Sequence, residues 1–188
     1  MDLHFLLQHN ADCVVIIDEA YVDFGAESAI SLIEKYENLL VVQTSSKSRS
    51  LAGMRIGYAF GSETLISTLE AVKNSYNSYT MDSLALAVGE ASIRDEAYFR
   101  ETCRKVAATR DRAADELRAL GFEVTPSLAN FLFATHPKKA APEIFSALRE
   151  KGIFIRYFKL PRIDNHLRIT VGTDEQMDAL IAALKQIL

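Results

Sequence analysis

Cys13-Val14-Val15-Ile16-Ile17 is an unbroken apolar run, mostly β-branched, that ends at Asp18-Glu19. It reads as a strand buried on both faces, as in a parallel sheet, because a half-exposed strand alternates apolar with polar positions. The polar residues after it then lie at the C-terminal edge of the strand, where open α/β sheets place ligand sites. A second apolar run, Leu39-Leu40-Val41-Val42, leads into Thr44-Ser45-Ser46-Lys47-Ser48-Arg49-Ser50. After Leu51-Ala52-Gly53 a third extended stretch runs from Met54 to Phe60, interrupted by Gly57 and closed by Gly61. Three sheet segments between residues 13 and 61, two of them emptying into polar clusters, set an α/β class for the first half.

The intervening segments read as helices. Ala29, Ile30, Leu32 and Ile33 predict a short one over 28–36. Ser62 is an N-cap candidate ahead of Leu65, Ile66, Leu69 and Val72, 74–80 is turn-like, and 82–93 is helical again. From Tyr98 to Leu120, apolar residues at spacings of three and four predict a long amphipathic helix stopped by Gly121. Beyond it, strands are expected at 122–124, 130–134, 153–155 and 167–171. A helix entered at Pro142 and stopped by Gly152 lies among them. Thr173 with Gln176 makes a capping box for a last helix, whose inner face is Met177, Leu180, Ile181, Leu184 and Leu188. The second half is therefore a small α+β unit, with the boundary in or beside the long helix.

Composition narrows the function classes. Apolar types are 49% and charged types 24% of 188 residues, an ordinary globular balance and not a disordered or fibrous one. Acidic residues outnumber basic ones 25 to 21, which weighs against a broad nucleic-acid surface. Cys13 and Cys103 make no disulfide framework, and His4, His9, His136 and His166 never recur at metal-ligand spacing. No signal peptide is visible, and the apolar runs fall far short of the ~20 residues that cross a bilayer. A soluble cytoplasmic protein with no membrane partner is the expectation.

The polar clusters carry the candidate chemistry. Lys47, among hydroxyls and with Arg49 and Arg55 close in sequence, suits a nucleophilic amine that attacks a carbonyl. Thr44, Ser46 and Arg55 equally suit a phosphate site, and a solvated basic loop explains the same string. Asp18 at a strand end suits a protonated ring nitrogen, with Tyr21 donating to a ring oxygen. A helix cap and a half-buried aromatic are the plainer alternative. Arg156 and Arg168, on or beside expected strands, need a counter-charge, which a carboxylate ligand or a structural acid could supply. Asn130 at a strand start could orient a carboxylate or cap the local backbone.

Taken in order, Asp18-Glu19-Ala20-Tyr21, Thr44-Ser45-Ser46-Lys47 and Leu51-Ala52-Gly53-Met54-Arg55-Ile56-Gly57-Tyr58 resemble the signature of fold-type I pyridoxal-phosphate aminotransferases. Among these they are most similar to histidinol-phosphate aminotransferases. Gly152 to Arg156 and Leu167 to Gly172 resemble the C-terminal domain of the same family. The resemblance implies a partial large domain at 1–95, with a three-strand remnant of its central sheet. Residues 96–188 would be the interdomain helix and the small α+β C-terminal domain. It implies pyridoxal 5'-phosphate as cofactor, with Lys47 as its covalent attachment and proton carrier, Asp18 on the pyridinium nitrogen and Tyr21 on the phenolic oxygen. Thr44, Ser46 and Arg55 would hold the phosphate. Arg168 would clamp the substrate carboxylate with Asn130, and Arg156 would contact a distal phosphate or support the site.

The substrates implied are an amino acid or histidinol phosphate with a 2-oxo acid, in a homodimer. Ser45 departs from the family pattern, which favours a bulky apolar residue there, and this is expected to alter packing and not chemistry. A related threonine-phosphate decarboxylase shares the fold but fits less well at Tyr21. Family chains run longer than this one, so an N-terminal half with further phosphate donors, a ring-stacking aromatic and flanking strands is expected to be missing. Weak or absent turnover follows. The alternatives are an interaction module that kept the fold without catalysis, or a split enzyme completed by a second chain.

Overall fold

The structure is a computed structural model that describes residues 3–188. Met1 and Asp2, which open the expected first domain, lie outside the described residues. The chain separates into two compact units. One takes in the chain up to Val22 together with Ala26–Arg100, and the other Asp23–Gly25 with Glu101–Leu188. Both halves of the expected fold class are present: a three-stranded α/β unit and an α+β unit on its own antiparallel sheet. No described helix is long and apolar enough to cross a membrane.

In the first unit, helix α1 (Leu3–His9) precedes β1 (Val15–Asp18), followed by β2 (Leu39–Thr44) and β3 (Gly57–Gly61). The sheet order is β1-β2-β3, with β1 parallel and β3 antiparallel to β2. Leu7, Ala29, Tyr36, Leu39 and Val41 form the core on one face, with Val15 and Ile17 packed against it. The strand beginning at Cys13 is corrected in two respects. It starts two residues later, since the Cys13 N–H closes a turn on Asn10 O, and it is not buried on both faces. Ile16 is 60% exposed, because β1 lies at the sheet edge and only its Val15/Ile17 side meets the core.

Gly61 belongs in β3 for a steric reason: a Cβ there would come within 3.1 Å of Leu40 Cδ1 and 3.2 Å of Leu39 O. The helix expected over 28–36 is only a 3-10 turn, Ala29–Leu32, followed by further turns. So short a segment does not repay helix nucleation, and Ser28 instead caps the turn at Ile30 N–H. Ser62 occupies the N-cap of α2 (Glu63–Tyr76), yet its hydroxyl donates to Glu37 O and accepts no N–H of the helix. Helix α3 (Ser83–Arg94) is capped by Asp82. Helix α4 (Glu96–Ala119) ends before Gly121, whose φ of +88° is the left-handed turn a glycine adopts without strain.

The second unit is a sheet of order β4-β5-β7-β6, antiparallel throughout: β4 (Glu123–Val124), β5 (Phe131–Thr135), β6 (Arg156–Tyr157) and β7 (Leu167–Thr170). Helices α5 (Ala141–Glu150) and α6 (Asp174–Ile187) pack on it, with Leu117, Leu132, Ile144, Leu148, Leu167 and Leu184 at the centre of the core. The capping box of α6 is present in full. The strand expected at 153–155 is absent. Ile153 N–H is spent on Leu148 O as α5 terminates, and Ile153 and Ile155 pack into the core without joining the ladder.

Candidate active site

Register decides which residues of the first sheet can act together. Asp18 pairs with Val42 and Thr44 with Gly57. Side chains alternate along a strand and paired residues share a face, so Asp18, Val42 and Thr44 point to one side and Ile17, Val41 and Gln43 to the other. Asp18 therefore lies on the side of exposed Ile16, opposite the core. On that side β3 contributes only Gly57, Ala59 and Gly61, while Ile16, Leu40 and Val42 stand on β1 and β2. Asp18 Oδ1 accepts the Ala20 N–H at 3.0 Å, which folds the chain back toward Tyr21.

The loop after β2 is tied down at its start. Thr44 Oγ1 donates to Ser46 Oγ (2.9 Å) and accepts the Ser46 N–H (3.0 Å). Lys47 is exposed, and its Nζ stands 5.5 Å from the Tyr21 ring centroid. Ser50 and Arg55 both adopt left-handed backbone, at φ 56° and 55°. For non-glycine residues this conformation costs about 1 kcal/mol or more each, and such strain gathers at functional sites. Between them Ala52–Met54 form a 3-10 turn that returns the chain to β3, and Arg55 Nη1 donates to Ala52 O at 2.8 Å. Asp18, Tyr21, Thr44, Ser46, Lys47 and Arg55 thus gather around one end of one sheet.

The other three candidates belong to the second unit. Asn130 immediately precedes β5, and its carbonyl accepts the Val171 N–H. Arg156 and Arg168 are direct partners across β6 and β7. Arg168 is half-buried and lies 4.1 Å from the Phe131 ring centroid. Arg156, expected just after a strand at 153–155, instead opens β6, a two-residue edge strand, and is exposed.

Several contributors escaped the sequence reading. Glu19 is buried, and its oxygens accept from Ser28 Oγ (2.7 Å), Ala29 N–H (2.6 Å) and Gln43 Nε2 (2.8 Å). The signal was parity: Val15, Ile17 and Glu19 fall on one side of a strand, and that side is the core. Ser45 is fully buried with its hydroxyl 2.8 Å from Tyr58 Oη, so the departure from a bulky residue is filled by a polar pair. Arg110, buried within α4, donates to Phe24 O and to Ala129 O beside Asn130. A charged residue on an amphipathic helix gave no sign of burial.

Chemically, the first group combines an acid that can pair with a protonated ring nitrogen, an amine beside a phenol, and hydroxyls with a guanidinium suited to a phosphate. That donor set fits a flat heterocycle with a phosphate tail. A profile of the family described as aminotransferase class I and II matches residues 2–184. The chain belongs to that family.

Among aminotransferases, the histidinol-phosphate aminotransferase of Acinetobacter baumannii (strain SDF) is 58% identical over 185 residues, 98% of this chain and 51% of its own. Histidinol-phosphate aminotransferase 2 of Dechloromonas aromatica (strain RCB) is 59% identical over 182 residues, 97% of this chain and 51% of its own. The crystal structure of histidinol-phosphate aminotransferase from Sinorhizobium meliloti in complex with pyridoxal-5'-phosphate matches with a TM-score of 0.84 and 27% identity. It covers 100% of this chain and 53% of that one. The chain spans about half the length of the curated relatives it matches. It is a fold-type I aminotransferase chain closely related to the histidinol-phosphate aminotransferases, and its three-stranded unit is part of the large domain of that fold.

Proposed function

We propose that this aminotransferase chain carries the cofactor-attaching part of a pyridoxal-phosphate-dependent site that moves an amino group from an amino acid or histidinol phosphate to a 2-oxo acid. The main support is the sheet register, which leaves Asp18 and Thr44 on one face and one end, with Lys47 and Arg55 in the loops at that end. The S. meliloti relative, solved with pyridoxal-5'-phosphate, supports the cofactor. In this reading Asp18 pairs with the ring nitrogen, Tyr21 donates to the phenolic oxygen, and Thr44, Ser46 and Arg55 hold the phosphate. When bound, the cofactor supplies an electron sink for the substrate's α-carbon. Lys47 Nζ is the attachment point and, once released, carries the proton taken from that carbon on its long, mobile stem. Arg168 clamps the substrate carboxylate with Asn130, and Arg156 meets a distal phosphate or supports Arg168.

These 188 residues by themselves are proposed to hold the cofactor weakly and to turn over little. Asp18, Lys47 and Arg55 are all exposed, and charges facing water act through a high dielectric. The complete site is proposed to need the part that corresponds to the other half of the relatives, and to work as a cytoplasmic homodimer. The test mixes the chain with pyridoxal phosphate, traps the adduct with borohydride and maps the labelled peptide. Substoichiometric label concentrated on Lys47 and lost in Lys47→Ala is the expected result. Label spread evenly over the lysines would reject the reading. Adding the N-terminal half of the A. baumannii relative should raise labelling of Lys47 toward stoichiometry. No rise over an unrelated polypeptide would reject completion in this way.

A further inference from the structure

An amine that must meet one particular carbon needs a loop held still, because misplacement near 1 Å costs orders of magnitude in rate. The Lys47 loop has local ties: Ser45 N–H to Ile56 O, Leu51 N–H to Ser45 O, and Ser50 N–H to Lys47 O. With the Ser45–Tyr58 hydroxyl pair, these fix the loop only to itself and to the strand beneath. Arg49 reaches further. Its Nη1 donates to Ser92 O, in the last turn of α3, at 2.6 Å. Its Cζ lies 3.9 Å from the centroid of the Phe99 ring, in the first turn of α4.

A planar guanidinium can stack its face on an aromatic while donating from its edge; an ammonium cannot do both. Carbonyls in the last turn of a helix lack intrahelical donors and sit at the negative end of its dipole, which suits a cation. We infer that Arg49 is a positioning residue that fastens the Lys47 loop to the junction of α3 and α4, and so fixes where the Lys47 amine stands. The inference rests on Lys47 being the attachment point.

The test is amide hydrogen exchange on Ser45, Ser50 and Leu51 in the unsubstituted chain, Arg49→Ala and Arg49→Lys. Losing one charge-assisted hydrogen bond and its stacking should speed exchange of these amides about tenfold, with Val41 in β2 unchanged. Arg49→Lys should behave like Arg49→Ala. Borohydride-trapped label on Lys47 should form several-fold more slowly in both. Unchanged exchange in Arg49→Ala, or full rescue by lysine, would overturn the anchor. Should Arg49→Ala unfold, Phe99→Leu removes only the stacking surface, and the same three amides decide the question. If the unsubstituted chain takes no label at Lys47, the functional reading fails, while the exchange comparison still decides whether Arg49 holds the loop.

Discussion

Glu19 shows what a single residue does at this sheet edge. Its oxygens gather a hydroxyl and a backbone N–H from the Ser28–Ala29 turn and an amide from Gln43 in β2. Glu19→Gln keeps the shape but turns an amide N–H₂ toward donors. It should lower the stability of the first unit by about 1–3 kcal/mol, the penalty for leaving buried donors unmatched, read from the urea midpoint by circular dichroism. Cofactor contacts need not change, since Asp18 points the other way. Of these neighbouring acids, sequence singled out Asp18 and passed over Glu19, because both sit in the same polar pair and only strand parity against a known core separates them. Lys47, Thr44 and Arg55 were legible as residue types suited to phosphate and aldehyde chemistry. The left-handed turns at Ser50 and Arg55 that bring them to one end were not.

At the scale of elements, α4 and α6 are joined by a charged hub. Arg112 donates to Asp174 (2.9 Å), to Asp178 (2.6 Å) and to Glu116 (3.0 Å), while Thr109 Oγ1 donates to Asp174 at 2.9 Å. The Arg112 hydrogen bond, then that of Thr109, holds the Asp174 carboxyl below its usual 3.8. A carboxyl with a depressed folded value contributes stability that is fully present above the unfolded value. That stability is lost as pH falls through the folded value. The hub is at the surface and salt-screened, so the effect is modest. Thermal melts of the second unit should therefore fall more steeply below pH 3.8 than those of Arg112→Ala, and high salt should narrow the difference. Parallel curves at low salt would remove the hub from the account. Helices α4, α5 and α6 were legible because long amphipathic periodicity is local information. The strand expected at 153–155 and the helix expected over 28–36 were not, because segments of three and nine residues fit several structures and neighbouring hydrogen bonds chose between them.

Across the whole molecule, the first unit leaves apolar surface open: Val14 is 51%, Ile16 60%, Leu84 62% and Leu86 57% exposed. Edge strands with exposed apolar side chains invite pairing, and one charge is a standard guard against it. Ile16→Lys, on the side away from the core, should leave the circular dichroism spectrum unchanged and shift sedimentation toward smaller species. An unaltered distribution would show that β1 takes no part in self-association. The sequence alone determined the two-part α/β and α+β class, the long amphipathic helices, the polar clusters at strand ends and the family signature, because periodicity and residue chemistry are written along the chain. Only the tertiary structure decided that β1 is an edge, that Glu19 is inside and Asp18 outside, and that Arg49 reaches two helices. Burial and pairing belong to neighbours brought from elsewhere in the chain, and no local string contains them.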